Sequence, residues 1–182
     1  MNVGVISVRY AKALLAYSIQ QGVEDAVYDG MKQLVHTLQD VKELPIVLRN
    51  PHLKPAERVK LLCSVMPQLP IMERFAALVV KEEREDILVF IAYEYINLYR
   101  EAKGICAVRF ITAAPVAPDF KAGLEQIVGN ENKMKVEVEY IVDESIIGGF
   151  RMEVASRRID ASVEGQLRRI RKQLVKQNRK LV

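Results

Sequence analysis

The sequence predicts an α+β protein in which a six-helix bundle precedes a small mixed α/β domain. As far as Gly104, apolar residues recur at helical spacing in about six segments, and short loops containing proline or glycine separate them. From Ile105 onward, short runs rich in β-forming residues follow, including the alternating stretch 134–142. We therefore expect two domains, an N-terminal helical bundle over residues 1–104 and a C-terminal α/β domain over residues 105–182.

The first predicted helix, from Val3 to Gly22, has apolar side chains on two faces. One stripe comprises Ile6, Tyr10, Ala13, Leu14 and Tyr17, and the other comprises Val8, Ala11, Leu15 and Ile19. A helix that is apolar almost all round must be buried on more than one side. It is therefore either the central helix of the bundle or a helix whose second face receives a partner's amphipathic helix.

Local signals place the other helices of the first half. A second helix begins near Glu24 and is ended or kinked at Leu44-Pro45, because proline disfavours the helical conformation of the residue before it. Pro55 suits the first turn of a further helix, and the fifth helix begins near Ile71. The charged segment Lys81–Asp86 is interpreted as a solvated turn before the long last helix of the bundle.

The second half is predicted to alternate strands and helices. The expected elements are a strand at Ile105–Ala114, a helix at Phe120–Val128, a strand at Met134–Val142, a strand at Ile146–Ala155 that contains Gly148-Gly149, and a turn at Ser156–Arg158. Proline and glycine bound these segments. Because Gly148-Gly149 falls in a strand context, we interpret it as a bulge or close backbone approach rather than a phosphate-binding loop.

Asp160 and Ser162 are expected to cap a final cationic helix. Its apolar stripe comprises Val163, Leu167, Ile170, Leu174 and Leu181, and its cationic residues are Arg168, Arg169, Arg171, Lys172, Lys176, Arg179 and Lys180. Three interpretations compete: a solvated face, a surface for an acidic partner protein, or binding to nucleic acid or anionic lipid. Nucleic acid is the less favoured partner, because no aromatic residues interleave with the charges.

The composition argues against several function classes. The net charge is only +4, and the two cysteines are far apart in sequence with no C-x-x-C spacing. There are two histidines, and the sequence has no phosphate loop, nucleophile elbow or metal-spaced carboxylates. We therefore expect no catalytic residue, no cofactor and no metal site. No apolar run reaches the length of a membrane span, and no signal peptide is recognised, so a bacterial cytoplasmic protein is the default expectation.

Three stretches together resemble one family. They are Arg9–Leu14 (RYAKAL), Val138–Met152 (VEYIVDESIIGGFRM) and Ile159–Leu167 (IDASVEGQL). They are similar, in that order, to the opening helix, the C-terminal signature and the entry to the last helix of the delta subunit of F-type ATP synthases, the counterpart of the mitochondrial oligomycin-sensitivity-conferring protein. The family signature residues in this chain are Gly148, Gly149, Phe150, Asp160 and Ser162. One departure is a turn, Glu82–Glu85, where the family commonly has a small glycine-containing turn before an arginine.

The resemblance implies a non-catalytic stator subunit in the peripheral stalk of the proton-translocating synthase. It would link the catalytic head to the b-subunit stalk, so that rotor torque drives ATP synthesis. The N-terminal bundle would bind the N-terminal helix of the alpha subunit in a groove between helices one and five. By carry-over, the groove candidates are Tyr10, Ala13, Leu14, Phe75, Leu78 and Val79.

The same resemblance implies that the C-terminal domain meets the b subunit. The basic last helix suits that role, with Arg168, Arg171 and Lys172 as candidate contacts. The protein would be a monomer within a hetero-oligomer, peripheral on the cytoplasmic face of the bacterial inner membrane, without a lipid anchor. The alternative function is a nucleic-acid-binding module that uses the basic helix.

Overall fold

The computed structural model describes residues 3–50, 52–118, 120–121, 123, 135–154 and 157–178. The chain divides into two compact units, Met1–Lys103 and Gly104–Val182. The first is helical and the second combines a sheet with a helix, so the predicted α+β class is confirmed.

The helices of the first unit begin and end at residues with clear local reasons. They are α1 (Val3–Gln21), α2 (Glu24–Asp40), α3 (Leu44–Leu48), α4 (Pro55–Val65), α5 (Pro70–Lys81) and α6 (Leu88–Lys103), with a 3-10 turn at Glu85–Ile87. Gly22 and Gly104 follow α1 and α6 with positive φ angles of 66° and 64°, a conformation that glycine adopts without strain. The second helix ends at Asp40, so Leu44-Pro45 does not end it but begins α3.

The core of this unit lies around α6, which packs against α1 and α2. Tyr95 of α6 is fully buried, together with Met31 of α2 and Ala11 of α1. The face of α1 that is buried also includes Ser7 and Ser18, which the apolar stripes did not predict. Their hydroxyls donate to the carbonyls of Val3 and Leu15, so these small polar residues can be buried where helices approach closely.

The charged segment after α5 is only partly solvated, which corrects its interpretation as a simple turn. The carboxylate of Glu85 lies 2.7 Å from Nη1 of Arg58, and the Glu85 side chain is only 5% exposed. Glu83, in contrast, is exposed and has a φ angle of 52°. The segment therefore contains one buried ion pair and one residue in the left-handed conformation that glycine favours.

The second unit is built on a four-stranded sheet. Its strands are β1 (Ile105–Thr112), β2 (Lys135–Val142), β3 (Phe150–Val154) and β4 (Arg157–Asp160), and its helix is α7 (Val163–Asn178). The strand order is β2-β1-β3-β4, with β1 and β2 parallel and the other pairs antiparallel. A 3-10 turn, Glu144–Ile146, connects β2 toward β3. The helix predicted at Phe120–Val128 falls mostly outside the described residues.

Phe110 is the centre of the aromatic core of this unit. Its ring stacks on Phe150 at a centroid distance of 5.2 Å and also contacts the rings of Tyr140 and Phe120. These contacts tie β1 to β3 and β2, and Val108 and Ile146 are also buried. The register of the strands determines which side chains lie on the same face of the sheet as Phe110.

Two predictions about the second unit are wrong. Gly148 and Gly149 lie in a loop rather than in a strand, because β3 begins only at Phe150. Ile147 and Gly149 both have positive φ angles, 67° and 74°, which are incompatible with an extended strand. Arg157 and Arg158 belong to β4 and not to a turn.

Candidate partner-binding site

A groove of about 460 Å³ lies between α1 and α5. Five of the six residues proposed from the family resemblance are at its surface, together with four that were not proposed. The lining residues are Arg9, Tyr10, Ala13, Leu14, Tyr17, Ile71, Arg74, Phe75 and Leu78. The groove thus combines one face of each of two helices, as a docking site for a third helix requires.

The floor and the rim of this groove differ in burial. Leu14, Ile71 and Phe75 are buried at the floor, whereas Leu78 is 47% exposed and Ala13 is exposed at the rim. An exposed leucine over an apolar floor is the arrangement that a partner's apolar stripe can cover. The groove therefore offers a preformed apolar surface without a change in the fold.

The polar groups at the groove are cationic or neutral. Nη1 of Arg74 donates a hydrogen bond to the Tyr17 hydroxyl at 2.7 Å, which joins α5 to α1. Arg9 is exposed on α1 at the same groove. An apolar floor bordered by two arginines favours an amphipathic helix that has acidic residues beside its apolar stripe.

Val79, the sixth proposed groove residue, is fully buried and does not line the groove. It lies on the inner face of α5 with Ala76 and Val80, and all three belong to the core. Ile71 occupies the groove instead, at the i, i+4, i+7 spacing with Phe75 and Leu78 that marks one helix face. Tyr17 was part of the predicted apolar stripe of α1, so periodicity could have identified Ile71 and Tyr17. The other two missed residues, Arg9 and Arg74, are charged, and apolar periodicity gives no signal for them.

The family signature residues come together where the sheet is joined to α7. The Gly148 carbonyl accepts a hydrogen bond from the Val163 N–H, and the Phe150 carbonyl accepts one from the Ala161 N–H. A Cβ at Gly149 would lie 2.3 Å from the Ala161 carbonyl oxygen, so only glycine fits there. We call Gly148–Phe150 and Asp160–Ser162 together the joint.

Within the joint, Ser162 and Asp160 have different roles. Oγ of Ser162 accepts from the Gly165 N–H at 3.0 Å and caps α7, as predicted. Asp160 does not cap the helix, because its Oδ1 accepts instead from the N–H and the hydroxyl of Ser162. Those bonds hold the pKa of Asp160 below its ordinary value. The aspartate therefore remains ionised at neutral pH and fixes the residue that caps the helix.

Helix α7 presents an exposed apolar stripe with cationic flanks. Leu167, Ile170, Leu174 and Val175 are each between 50% and 57% exposed. Arg168, Arg171 and Lys172 are exposed beside them, and Arg168 also pairs with Glu164 one turn earlier. That hydrogen bond from Arg168 lowers the pKa of Glu164. Leu181, predicted to continue the stripe, lies outside the described residues.

Among the described residues there is no group of three metal-ligating side chains. None of the helices in the described part of the chain is both long enough and apolar enough to cross a membrane.

A profile of the family described as ATP synthase delta (OSCP) subunit matches residues 6–174. The chain belongs to the ATP synthase delta (OSCP) family. It is 37% identical to ATP synthase subunit delta of Phocaeicola vulgatus and 38% identical to that of Bacteroides fragilis, over the whole of both chains in each case. It is 41% identical to the Parabacteroides distasonis subunit, over 94% of this chain and 96% of that one.

A solved structure supports the fold of this delta (OSCP) family member. A chain of the mitochondrial ATP synthase hexamer of Toxoplasma gondii superimposes with a TM-score of 0.71, at 18% identity, over 93% of this chain and 97% of that one. Membership of the delta (OSCP) family makes the chain a non-catalytic, peripheral-stalk subunit of an F-type ATP synthase. Family membership gives no support to the nucleic-acid alternative.

Proposed function

We propose that this subunit joins the two halves of the stator through two separate surfaces. The α1/α5 groove binds the N-terminal helix of the alpha subunit, and the exposed stripe of α7 binds the b subunit. In this proposal the helices before residue 104 act as one six-helix bundle, and residues 105–182 form the stalk-binding domain. The protein is a single copy within a hetero-oligomer, held on the cytoplasmic face of the inner membrane by its partners in a proton-translocating complex.

The groove is the observation on which the alpha-subunit assignment rests. Arg9 to Tyr17 covers eight residue steps of α1, which is about 12 Å or roughly two helical turns. A partner helix lying along it would place apolar residues at i, i+3 or i+4, and i+7 over the floor. The rim arginines, Arg9 and Arg74, would face acidic residues on either side of that stripe.

The α7 stripe supports the b-subunit assignment. Its apolar residues are half exposed, so a second helix could cover them. They are spaced three and four residues apart, as in the apolar seam of a coiled coil. Arg171 and Lys172 flank the stripe, which favours an acidic partner helix. A stator must hold against torque, and apolar burial with complementary charge supplies contacts of that kind without any reaction.

Two matched leucine substitutions test the assignment. Leu78 in the groove is 47% exposed and Leu174 on α7 is 57% exposed, so aspartate should be tolerated by the fold at both positions. Leu14 is unsuitable, because it is buried and its replacement would disturb the core. The full-length chain is titrated calorimetrically with a synthetic alpha N-terminal peptide and, separately, with a soluble b fragment.

We expect Leu78→Asp to lose the alpha peptide and keep the b fragment, and Leu174→Asp to show the reverse. Losing one buried leucine contact corresponds to a weakening of about 10- to 100-fold. If both variants bind both ligands like the unsubstituted chain, the two surfaces are wrongly assigned. If neither ligand binds the unsubstituted chain at tens of micromolar, about −6 kcal/mol, the proposed partners are wrong.

A further inference from the structure

Arg151 of β3 connects the sheet to the start of α7. Its guanidinium lies 3.4 Å from Oδ2 of Asp160 on β4, and its Nη2 donates a hydrogen bond to the Glu164 carboxylate in the first turn of α7. The side chain is only 11% exposed. One cation therefore bridges a carboxylate on the sheet and a carboxylate on the helix. The contact with Asp160 is an ion pair without a hydrogen bond from Nε, and the contact with Glu164 is a hydrogen bond.

Among the described residues, the other hydrogen bonds between α7 and the rest of the unit lie within the first two turns of the helix. Ser162 caps it, Val163 bonds to the Gly148 carbonyl, and Arg169 donates to the Asp160 carbonyl at 3.2 Å. Its main packing contact in the unit is with the 3-10 turn Glu144–Ile146. In the described part of the helix after Arg169, the apolar side chains are half exposed, so packing does not fix its direction there.

We infer that Arg151 is the positioning residue that sets the direction in which α7 leaves the sheet. The inference rests on the proposed function where it concerns the b subunit, because that partner would bind the stripe at the far end of the helix. A 16-residue helix is about 24 Å long, so a change of about 10° at its start moves its end by about 4 Å. Such a displacement exceeds what a packed helix interface tolerates.

The charges around Arg151 are arranged to keep this bridge closed. Asp160 and Glu164 both have lowered pKa values, owing chiefly to hydrogen bonds from Ser162 and Arg168 respectively, so both are ionised at neutral pH. Asp143 lies in the loop after β2. Hydrogen bonds from Ser145 lower its pKa, and the positive charge of Arg151 lowers it further. The arginine thus faces carboxylates from the loop, from β4 and from α7.

The direction of α7 is measured with a pair of spin labels on the full-length chain. Lys135→Cys on β2 and Gln173→Cys on α7 accept the labels, since both positions are exposed, and Cys63→Ser with Cys106→Ser removes the native thiols. Double electron–electron resonance then gives the distance distribution between sheet and helix. We expect a single narrow distribution in this background.

Arg151→Met should broaden that distribution, and so should Glu164→Gln, which removes the charge on the helix side with little change in shape. The matched control is Arg109→Met on β1. Arg109 also pairs with two carboxylates, those of Glu139 and Glu153, and both lie on strands of the sheet. The control should leave the distribution narrow.

A narrow distribution in both Arg151→Met and Glu164→Gln overturns the inference, and so does an equal broadening in Arg109→Met. If circular dichroism shows that Arg151→Met is unfolded, Glu164→Gln decides alone. Binding of the soluble b fragment is measured separately. If only one in ten molecules of a variant holds α7 in the direction that binds b, the apparent affinity for the b fragment falls tenfold.

The two readouts separate failure of the inference from failure of the proposed function. A broadened distribution with no b binding in any variant, including the unsubstituted chain, retains the positioning role and rejects the partner. Normal b binding together with a narrow distribution in Arg151→Met retains the partner and rejects the positioning role.

Discussion

The hydroxyl of Tyr95 lies 2.9 Å from Oγ of Ser18, at a fully buried contact between α6 and α1. The tyrosine hydroxyl also donates to the Glu24 carbonyl at 3.3 Å, so a single side chain on α6 reaches both α1 and α2. Buried hydroxyls need such partners, because an unpaired polar group in the core is destabilising.

Tyr95→Phe should destabilise the helical unit by about 1 kcal/mol, the net contribution of a typical hydrogen bond. The loss is moderate because Ser18 keeps its bond to the Leu15 carbonyl. Tyr93→Phe is the control, since Tyr93 is exposed and its hydroxyl accepts a hydrogen bond from the exposed side chain of Gln39. Urea unfolding measures both; equal stability of the Tyr95 variant and the unsubstituted chain would contradict the role of this contact.

Alkaline pH should remove the contribution of Tyr95. Burial raises its pKa to about 12 from an ordinary value of 10.0. Between these two pH values the folded state retains the hydroxyl proton of Tyr95, whereas the unfolded state has lost it. The contribution of Tyr95 to the free energy of unfolding is therefore full below pH 10 and is lost as the pH rises through about 12. The pKa of Tyr99 is also raised to about 12 and that of Lys103 is raised above its ordinary value, but neither residue is changed by the substitution. Comparing Tyr95→Phe with the unsubstituted chain therefore isolates the effect of Tyr95. At neutral pH the unsubstituted chain should have the larger free energy of unfolding, and the difference should shrink as the pH rises. A difference that stays constant with pH would contradict the prediction.

Glu83→Gly should stabilise the chain by up to about 1 kcal/mol, because a residue with a side chain is strained at a positive φ angle. The angle at Glu83 is 52°. Its neighbour Glu82 has a φ angle of −88° and is equally exposed, so Glu82→Gly should destabilise slightly by increasing the freedom of the unfolded chain. Denaturant midpoints of the two variants should shift in opposite directions, and a shift in the same direction would refute this explanation.

Gly149→Ala should disrupt the joint by more than the ~1–2 kcal/mol of left-handed backbone strain alone. The added Cβ would lie 2.3 Å from the Ala161 carbonyl oxygen. Gly22→Ala is the matched control, because Gly22 has a similar φ angle of 66° but no atom within 4 Å of the added Cβ. Amide hydrogen exchange in the full chain reads each unit separately. Equal losses of protection in the two variants would show that the close approach at Gly149 has no energetic role.

Glu85→Ala should destabilise the helical unit by about 3 kcal/mol, because it leaves the Arg58 charge buried and unpaired. Among the described residues, Nε of Arg58 already has no hydrogen-bond partner. Combining Glu85→Ala with Arg58→Met should recover part of the loss, since the uncompensated charge is then gone. Additive losses in the double variant would mean that the pair does not interact.

The sequence predicted the features that depend on local periodicity. The helical spacing of Tyr10, Ala13 and Leu14 and the strand alternation through Val136 and Val138 both reappear as helix α1 and strand β2. The apolar pattern does not predict the burial of Ser7 and Ser18, because serine is a polar residue. Both can be buried because their hydroxyls donate hydrogen bonds to carbonyls of their own helix.

Features that depend on contacts between distant residues were not predictable in the same way. Arg151 contacts Asp160 and Glu164, which lie 9 and 13 residues later on two other elements, and no local pattern connects them. The Gly148-Gly149 pair was assigned to a strand because β-forming residues surround it, whereas positive φ angles at Ile147 and Gly149 turn the chain out of that conformation. The burial of Glu85 could not be predicted from the charged segment around it, because its partner Arg58 lies far away in sequence, on α4.

The central claim is that one chain joins the alpha subunit to the b subunit. An immobilised alpha N-terminal peptide is mixed with soluble b fragment, with and without the full-length chain. The account predicts that b fragment is captured only when the chain is present, and that Leu78→Asp and Leu174→Asp each reduce capture sharply. Capture that is independent of the chain, or that is unchanged by both substitutions, would contradict the account.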